Sequence, residues 1–301
     1  MYKIALIIIN YNRSEDTYEC LKSLDIYTSK SNNLYEVYLL DNGQDDCMDP
    51  SKLSNYYLDI HYFKSEYNLG FAEGNNFLII KTMETGCYDY YALINNDTVI
   101  VDMSMDKLIN QMKEKNVGIG GLINYYFTNP ETIWQAGAYF DKKRNRFILY
   151  DDFDPNGNRF VQVDYVPGSS MFIKREVIET IGMLDSKYFA YYEESDYCFR
   201  AKKVGYKVAF LEGTKILHKV GISSSSYIRE YLRTRNRLYF CSKNISKKNT
   251  LKTLVWAFYE YSKRVAKGSF GLYIYMVLII AYNDYRKGLM YQGSMSKIKR
   301  K

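Results

Sequence analysis

Ile4-Ala5-Leu6-Ile7-Ile8-Ile9-Asn10-Tyr11-Asn12-Arg13 decides how the rest of the chain is read. An apolar run that does not alternate is expected of a strand in the middle of a parallel sheet, covered on both faces. The run stops after six residues at a polar turn with no small-residue cleavage site, so it reads as a buried strand and not as a signal peptide. A helix is expected next, with Ser14 as its N-cap, Glu15 and Asp16 in its first turn, and Tyr18, Leu21 and Leu24 on one face. A second strand, Tyr35 to Leu40, ends at Asp41-Asn42-Gly43. This β-α-β unit has polar residues at both strand C-termini, where open α/β sheets bind ligands.

A third strand around Ile60 to Phe63 runs into Asn68-Leu69-Gly70-Phe71-Ala72 and Gly74-Asn75-Asn76, ahead of a helix from Phe77 to Thr85. Glycines before a helix let backbone N–H groups approach an anion, but the G-x-G-x-x-G dinucleotide pattern is absent. The fourth strand, Tyr90 to Ile94, ends in Asn95-Asn96-Asp97-Thr98, and a helix follows to about Lys115. Gly118-Ile119-Gly120-Gly121 opens a less regular region that includes Trp134 and a charged loop from Asp141 to Asn158. Val166-Pro167-Gly168-Ser169-Ser170 then leads into apolar Met171-Phe172-Ile173, a helix from Arg175 to Ile181, and the breaker Gly182.

Tyr188 to Arg200 places Glu193, Glu194 and Asp196 within four positions. Carboxylates this close hold a group of raised pKa unless a cation, a ligand or solvent screens them, which suits a general base. A solvated helix start fits the same residues, because acidic side chains favour a helix N-terminus. For Asp97 the choice lies between a ligand for a hard cation and an Asx-turn that closes a strand. One of only two histidines, His218, follows a short strand at Val208 to Leu211.

The 301 residues, 47% hydrophobic and 25% charged, suit one large α/β domain or two closely packed lobes. Five cysteines without a C-x-x-C pair favour reduced thiols in a cytoplasmic protein. The net charge of +7 is uneven: Cys241 to Lys301 carries 13 basic against 2 acidic residues, and residues 1–240 carry 28 against 32. The body is thus mildly acidic and the tail strongly basic, which argues against a nucleic-acid groove even though Arg233, Arg235 and Arg237 stand among Tyr231, Asn236 and Tyr239. Diphosphate or lipid-phosphate contact is the expectation for those arginines, with a solvated helix face as the alternative. Beyond Asn244 two helices are expected, Thr253 to Lys267 and Phe270 to Lys287. The apolar run Phe270 to Tyr282 would span about 20 Å as a helix, short of the roughly 30 Å of a bilayer core. Peripheral attachment to an anionic membrane surface, or packing on the body or on a second subunit of a homo-oligomer, are the readings this leaves.

The arrangement as a whole resembles the GT-A glycosyltransferases of family 2, in particular the bacterial branch of rhamnosyltransferases and other polysaccharide-building enzymes. The resemblance runs from Ile4 to about Phe240 through Asn10-Tyr11-Asn12, Asp41-Asn42-Gly43, Asn68 to Ala72 with Asn75-Asn76, Asn95-Asn96-Asp97, Gly168-Ser169-Ser170, Gly182 to Asp185, Glu193 to Asp196, His218 and Arg235-Asn236-Arg237. It implies a mostly parallel, Rossmann-like sheet flanked by helices, with a helical C-terminal extension. Residues 1–243 would form the GT-A domain, 1–101 the nucleotide half and 102–243 the acceptor and catalytic half, with 244–301 as the basic extension.

By that resemblance a UDP- or dTDP-linked sugar donor would contact Asn10, Tyr11, Asn12, Asp41, Asn68, Gly70, Asn75, Asn96, Gly168, Ser169 and Arg235. Asp97, with His218 as second ligand, would hold Mg²⁺ or Mn²⁺. Glu194 would be the base that deprotonates a glycan or lipid-linked acceptor, aided by Glu193 and Asp196, and the anomeric centre would invert. Two residues depart from the family pattern: Asn95 stands where the first acid of its Asp-x-Asp element would be, and Glu194 where Asp is frequent. A sugar nucleotidyltransferase is the second enzyme reading, but its glycine-rich first loop is missing here. A non-catalytic glycan- or membrane-binding descendant is the third.

Overall fold

The computed structural model describes residues 1–43, 45–220 and 226–298. In chain order the elements are β1 (Lys3–Asn10), α1 (Ser14–Thr28), β2 (Leu34–Asp41), β3 (Asp59–Lys64), α2 (Gly70–Thr85), β4 (Tyr90–Asn95), β5 (Thr98–Ile100) and α3 (Ser104–Glu114). Then come β6 (Val117–Gly121), β7 (Asn124–Tyr126), β8 (Asn129–Gln135), β9 (Ala138–Asp141), β10 (Arg146–Leu149), β11 (Phe160–Gln162) and β12 (Ser170–Lys174). The chain finishes with α4 (Arg175–Ile181), α5 (Glu193–Lys203), β13 (Lys207–Leu211), β14 (Ile216–His218), α6 (Ser226–Asn244), α7 (Asn249–Ala266) and α8 (Tyr273–Lys287).

The main sheet has eight strands in the order β11-β13-β6-β12-β4-β1-β2-β3. All run parallel except β11 and β12. Successive residues of β1 serve opposite faces. Ile4, Leu6 and Ile8 pack with Leu21 and Leu24 of α1 and Leu108 and Met112 of α3, while Ala5 and Ile7 pack with Leu78 of α2 and Val177 of α4. That is the physical reason the run has no polar alternation. The chain winds outward from β1 to β3 and returns to β4 on the other side of β1, so the loops after β1 and β4 diverge at a topological switch point. A four-stranded sheet, β5-β14-β7-β8, stands beside that end.

Three local expectations need correction. Ser14 is the first residue of α1 and not its cap; the Asp46 carboxylate accepts from its N–H (2.9 Å) and hydroxyl (2.6 Å). The helix expected at Phe77 starts at Gly70, because Asn76 is held inside it by the Leu184 backbone (2.9 and 3.0 Å). The glycine-rich stretch at 118–121 is the buried strand β6.

The C-terminal helices lie on α6. Tyr227, Ile228, Tyr231 and Leu232 of α6 share a core with Tyr261 of α7 and Ile274, Val277, Leu278 and Ala281 of α8. Alpha6 also reaches back to the body, where Asn244 and Lys243 bond Asp196 (2.7 and 2.9 Å).

Because Asp46 supplies the cap of α1, Asp46→Ala should lower stability by about 1 kcal/mol, read as a shifted urea midpoint with unchanged slope.

Candidate active site

The site is built where β1, β4 and β12 end or begin side by side. Asn10, wholly buried, donates to Asp41 Oδ1 (2.9 Å) and accepts from the Thr17 hydroxyl (2.9 Å) and the Arg13 N–H (3.3 Å). Asn96 joins this network through Thr17 (2.9 Å). Asp41 is also wholly buried, and Oδ2 accepts from the Met48 N–H (3.0 Å) and the Tyr62 hydroxyl (3.1 Å). Asn10 and Asp41 therefore shape the loops from within instead of lining a surface. The residues left partly exposed around them are Tyr11, Asn12 and Asn96. Asn12 has a positive φ of 52° and is held by Asp45 (3.1 Å).

Asp97 follows β4, and His218 ends β14, which pairs antiparallel with β5 through His218 and Thr98. This pairing brings His218 Nε2 to 2.9 Å from Asp97 Oδ1, across 121 residues of sequence. Asn95 lies 3.5 Å from the same nitrogen, and Arg13 Nη1 lies 3.4 Å from Asp97 Oδ2. Burial raises the Asp97 pKa, but the His218 hydrogen bond, the charge of that ring and Arg13 outweigh it and hold the carboxyl below its ordinary value. His218 Nδ1 is buried without a hydrogen-bond partner, and Trp134 packs edge-on against the ring at 4.6 Å. One carboxylate oxygen and one imidazole nitrogen on adjoining strands form a donor set that fits a divalent cation completed by diphosphate oxygens.

Beside this pair stands the carboxylate pair. Ser170 of β12 pairs with Ile94 of β4, and the Asn95 N–H donates to the Ser169 carbonyl (3.3 Å), so the 168–169 loop adjoins the Asp97 turn. Glu194, at the start of α5, accepts from the Gly168 N–H. A Cβ on Gly168 would come within 2.8 Å of Glu194 Oε1 and 2.9 Å of the Phe71 ring, so only glycine lets the carboxylate lie against this backbone. Burial raises Glu194 from 4.5 to about 7. Glu193 is 2% exposed, has an unpartnered Oε2, and is pushed well above its ordinary value by burial and then by the charge of Glu194. Tyr191 and Tyr192, just before them, have φ of 71° and 78°, a left-handed conformation costly for non-glycine residues. Asn236 holds that turn by donating to the carbonyls of Ala190 and Tyr191 (both 2.8 Å).

The remaining expected residues are engaged within the protein. Asp196 is wholly buried, and Arg200 (2.9 Å), Lys243 (2.9 Å) and Asn244 (2.7 Å) take up its oxygens; it ties α5 to α6 and has no free oxygen for an acceptor. Arg235 is wholly buried too, bonded to Asn236 Oδ1 (3.0 Å) and the Tyr291 carbonyl (2.7 Å), so it braces the turn and meets no phosphate. Gly70, at φ 73°, packs against Phe189, and Asn75 bonds Phe71 O of its own helix (2.7 Å). Asn68 accepts from the Gly70 N–H (2.8 Å) at the start of α2, and the buried Ser169 hydroxyl donates to Asn124 (2.7 Å). Arg13 and Trp134 stand outside the motifs that carry the resemblance. Trp134, one of two tryptophans, was the available signal. Among the described residues, the three metal-type donors within 4.8 Å of one another are Glu36, Asp59 and His61. They lie at the opposite end of the sheet, where Lys3 (2.6 Å) and the Tyr88 hydroxyl already occupy Glu36.

Residues 5–182 match the family described as glycosyl transferase family 2, so the chain belongs to that family. It is 27% identical over 81% of its length, and 77% of the relative's, to the low-salt glycan biosynthesis hexosyltransferase Agl10 of Haloferax volcanii. It is 24% identical to the dTDP-rhamnosyl transferase RfbF of Shigella flexneri, over 80% of both chains. Among solved structures, GalNAc-T7 with UDP, GalNAc and Mn²⁺ aligns with a TM-score of 0.62 at 13% identity, covering 80% of this chain and 48% of that one. The mannosyltransferase PcManGT of Pyrobaculum calidifontis, in complex with GDP-Man and Mn²⁺, aligns with a TM-score of 0.56 at 14% identity, covering 97% and 84%. The fold is the GT-A fold, and the chain is a glycosyltransferase.

Between pH 4.5 and about 7 the folded chain keeps a proton on Glu194 that the unfolded chain releases. Glu194 should therefore make stability fall as pH rises through that window, with a slope of at most about 1.4 kcal/mol per pH unit. Urea melts across the window should show a shallower fall in Glu194→Gln.

Proposed function

We propose that this protein is an inverting, divalent-metal-dependent glycosyltransferase. It moves a hexosyl or deoxyhexosyl group from a UDP- or dTDP-linked donor to a glycan or lipid-linked glycan, on the cytoplasmic side of the membrane, in the synthesis of a surface polysaccharide. The observation that carries the reading is the adjacency of Asp97 and His218 to Glu194 through the paired ends of β4 and β12. The Mn²⁺ and nucleotides bound by the structural neighbours and the sugar-transfer names of the relatives support it.

Asp97 and His218 would hold Mg²⁺ or Mn²⁺, which when bound supplies positive charge to a diphosphate leaving group. Arg13 adds a fixed positive charge beside Asp97. Tyr11, Asn12 and Asn96 line the nucleotide side, on loops fixed from beneath by Asn10 and Asp41. Glu194 takes the proton of the acceptor hydroxyl as that oxygen bonds to the anomeric carbon and the bond from that carbon to the leaving phosphate oxygen breaks. With a pKa of about 7 it is a strong enough base and still partly ionised at neutral pH. Glu193, raised by its burial and then by the charge of Glu194, stays protonated beside the base and adds no charge to it.

Thermal shifts with UDP, dTDP, GDP and CDP, with and without Mn²⁺, test the donor site. A ligand at one hundred times its dissociation constant stabilises by about 2.7 kcal/mol, so stabilisation by UDP or dTDP should be clear, Mn²⁺-dependent and absent in Asp97→Ala. No shift with any nucleotide would overturn the reading. Glu194→Gln should keep the nucleotide shift and lose roughly 10²- to 10⁴-fold in kcat, while the wild-type rate should rise with pH through about 7 as the base loses its proton.

A further inference from the structure

The hairpin of α7 and α8 carries a surface that sugar transfer itself does not use. Its helices run antiparallel: Phe258 stacks on Tyr275 (6.0 Å), the Tyr275 hydroxyl donates to Ser262 (3.0 Å), and at the far end Thr250 meets Tyr285 (3.3 Å). Thr253, Ala257 and Tyr261 of α7 and Ile274, Val277, Leu278 and Ala281 of α8 are buried. Leu251, Val255 and Tyr259 recur every four residues on α7, and Leu272, at the N-cap of α8, is followed at four and three residues by Met276 and Ile279. These six side chains are 49–74% exposed. At 3.6 residues per turn, the two sets are centred about 60° and about 67° around the helix from the Phe258–Tyr275 seam, in the same rotational sense. Equal rotation on antiparallel helices points to the same side of the pair. The two stripes therefore make one face, turned away from α6.

The charge around that face has one sign. Lys252, Lys263, Lys267, Arg286 and Lys287 form no salt bridge among the described residues. The two acids of the segment are engaged elsewhere: Glu260 with Arg146 (3.1 Å) and Arg237 (2.9 Å), and buried Asp284 with Ser294 (2.9 Å). No helix among the described residues is long and apolar enough to cross a membrane.

We infer that this face docks on an anionic lipid bilayer, with the six apolar side chains at the boundary of headgroups and acyl chains and the lysines on lipid phosphates. A second copy of the same face fits poorly, since a two-fold contact would set unpaired cations against cations with no acid to answer them. The inference rests on the proposed lipid-linked acceptor and names the surface through which the enzyme meets it.

Co-sedimentation of the full chain with vesicles tests it. Binding is expected to mixed phosphatidylglycerol–phosphatidylcholine vesicles, to weaken as salt is raised, and to be much lower on pure phosphatidylcholine. Lys252→Gln, Lys263→Gln and Lys267→Gln should each lower the partition coefficient about fivefold. Val255→Asp with Met276→Asp, both exposed and so compatible with folding, should abolish binding. No binding by the wild type, or equal binding by the variants, overturns the inference. So does a dimer in light scattering that Val255→Asp with Met276→Asp converts to monomer. The nucleotide thermal shift, measured on the same samples, separates the two proposals: vesicle binding that fails while the shift persists removes the membrane face alone.

Discussion

The antiparallel insertion of β12 between β4 and β6 is the constraint on which the site depends. A parallel strand there would begin at the far end of the sheet, and Gly168 and Ser169 would lie a strand length from Asp97. Running antiparallel, β12 starts where β4 finishes, with Ser170 opposite Ile94. One backbone pairing thus joins the loop that receives Glu194 to the turn that carries Asp97. The second sheet completes the arrangement in the same way, since β14 against β5 delivers His218 to Asp97. His218 and the turn that carries Asp97 are positioned by ladder hydrogen bonds, which hold them more firmly than a loop would.

What the sequence made legible follows from what its patterns record. The unbroken apolar runs at 4–9 and 90–94 report burial on two faces, and the polar ends after them mark the edge that carries the candidate site. Beta6 escaped notice because three of its five residues are glycine, poor strand formers by composition. Their need is tertiary. A Cβ at Gly118 would meet Tyr206 at 2.9 Å, at Gly120 Met112 at 2.6 Å, and at Gly121 Val166 at 2.9 Å. Asn75 and Asn76 misled for a related reason, as a low helix propensity was overruled by the bonds from Asn76 to the Leu184 backbone.

Charge was the least legible property. Glu193, Glu194 and Asp196 look equivalent in one dimension, yet Asp196 has three cationic or amide partners, while Oε2 of Glu193 has none. Partners drawn from Lys243 and Asn244, nearly fifty residues away, decide which acid is structural and which can titrate. The same holds for Arg235, whose guanidinium suggests phosphate and instead caps the carbonyls of Leu289 and Tyr291 just after α8.

These buried charges explain how a strained, desolvated turn persists. Left-handed Tyr191 and Tyr192, followed by two carboxyls with raised pKa values, would relax if the surrounding structure let them. Asn236 prevents this by binding the carbonyls of Ala190 and Tyr191, and Arg235 fixes Asn236. Arg235 is in turn held by Leu289 and Tyr291, and Tyr231 on the same helix by Asp284, so the residues after α8 close the chain of contacts. The extension therefore helps to hold in place the turn before Glu194, and α8 reaches that turn through four hydrogen bonds: Asp284 to Tyr231, Tyr231 to Arg235, Arg235 to Asn236 and Asn236 to the Ala190 carbonyl. A membrane face on a floppy appendage would only raise local concentration. On this layer it would also fix how Glu194, the proposed base, is presented relative to the surface from which the proposed lipid-linked acceptor would arrive.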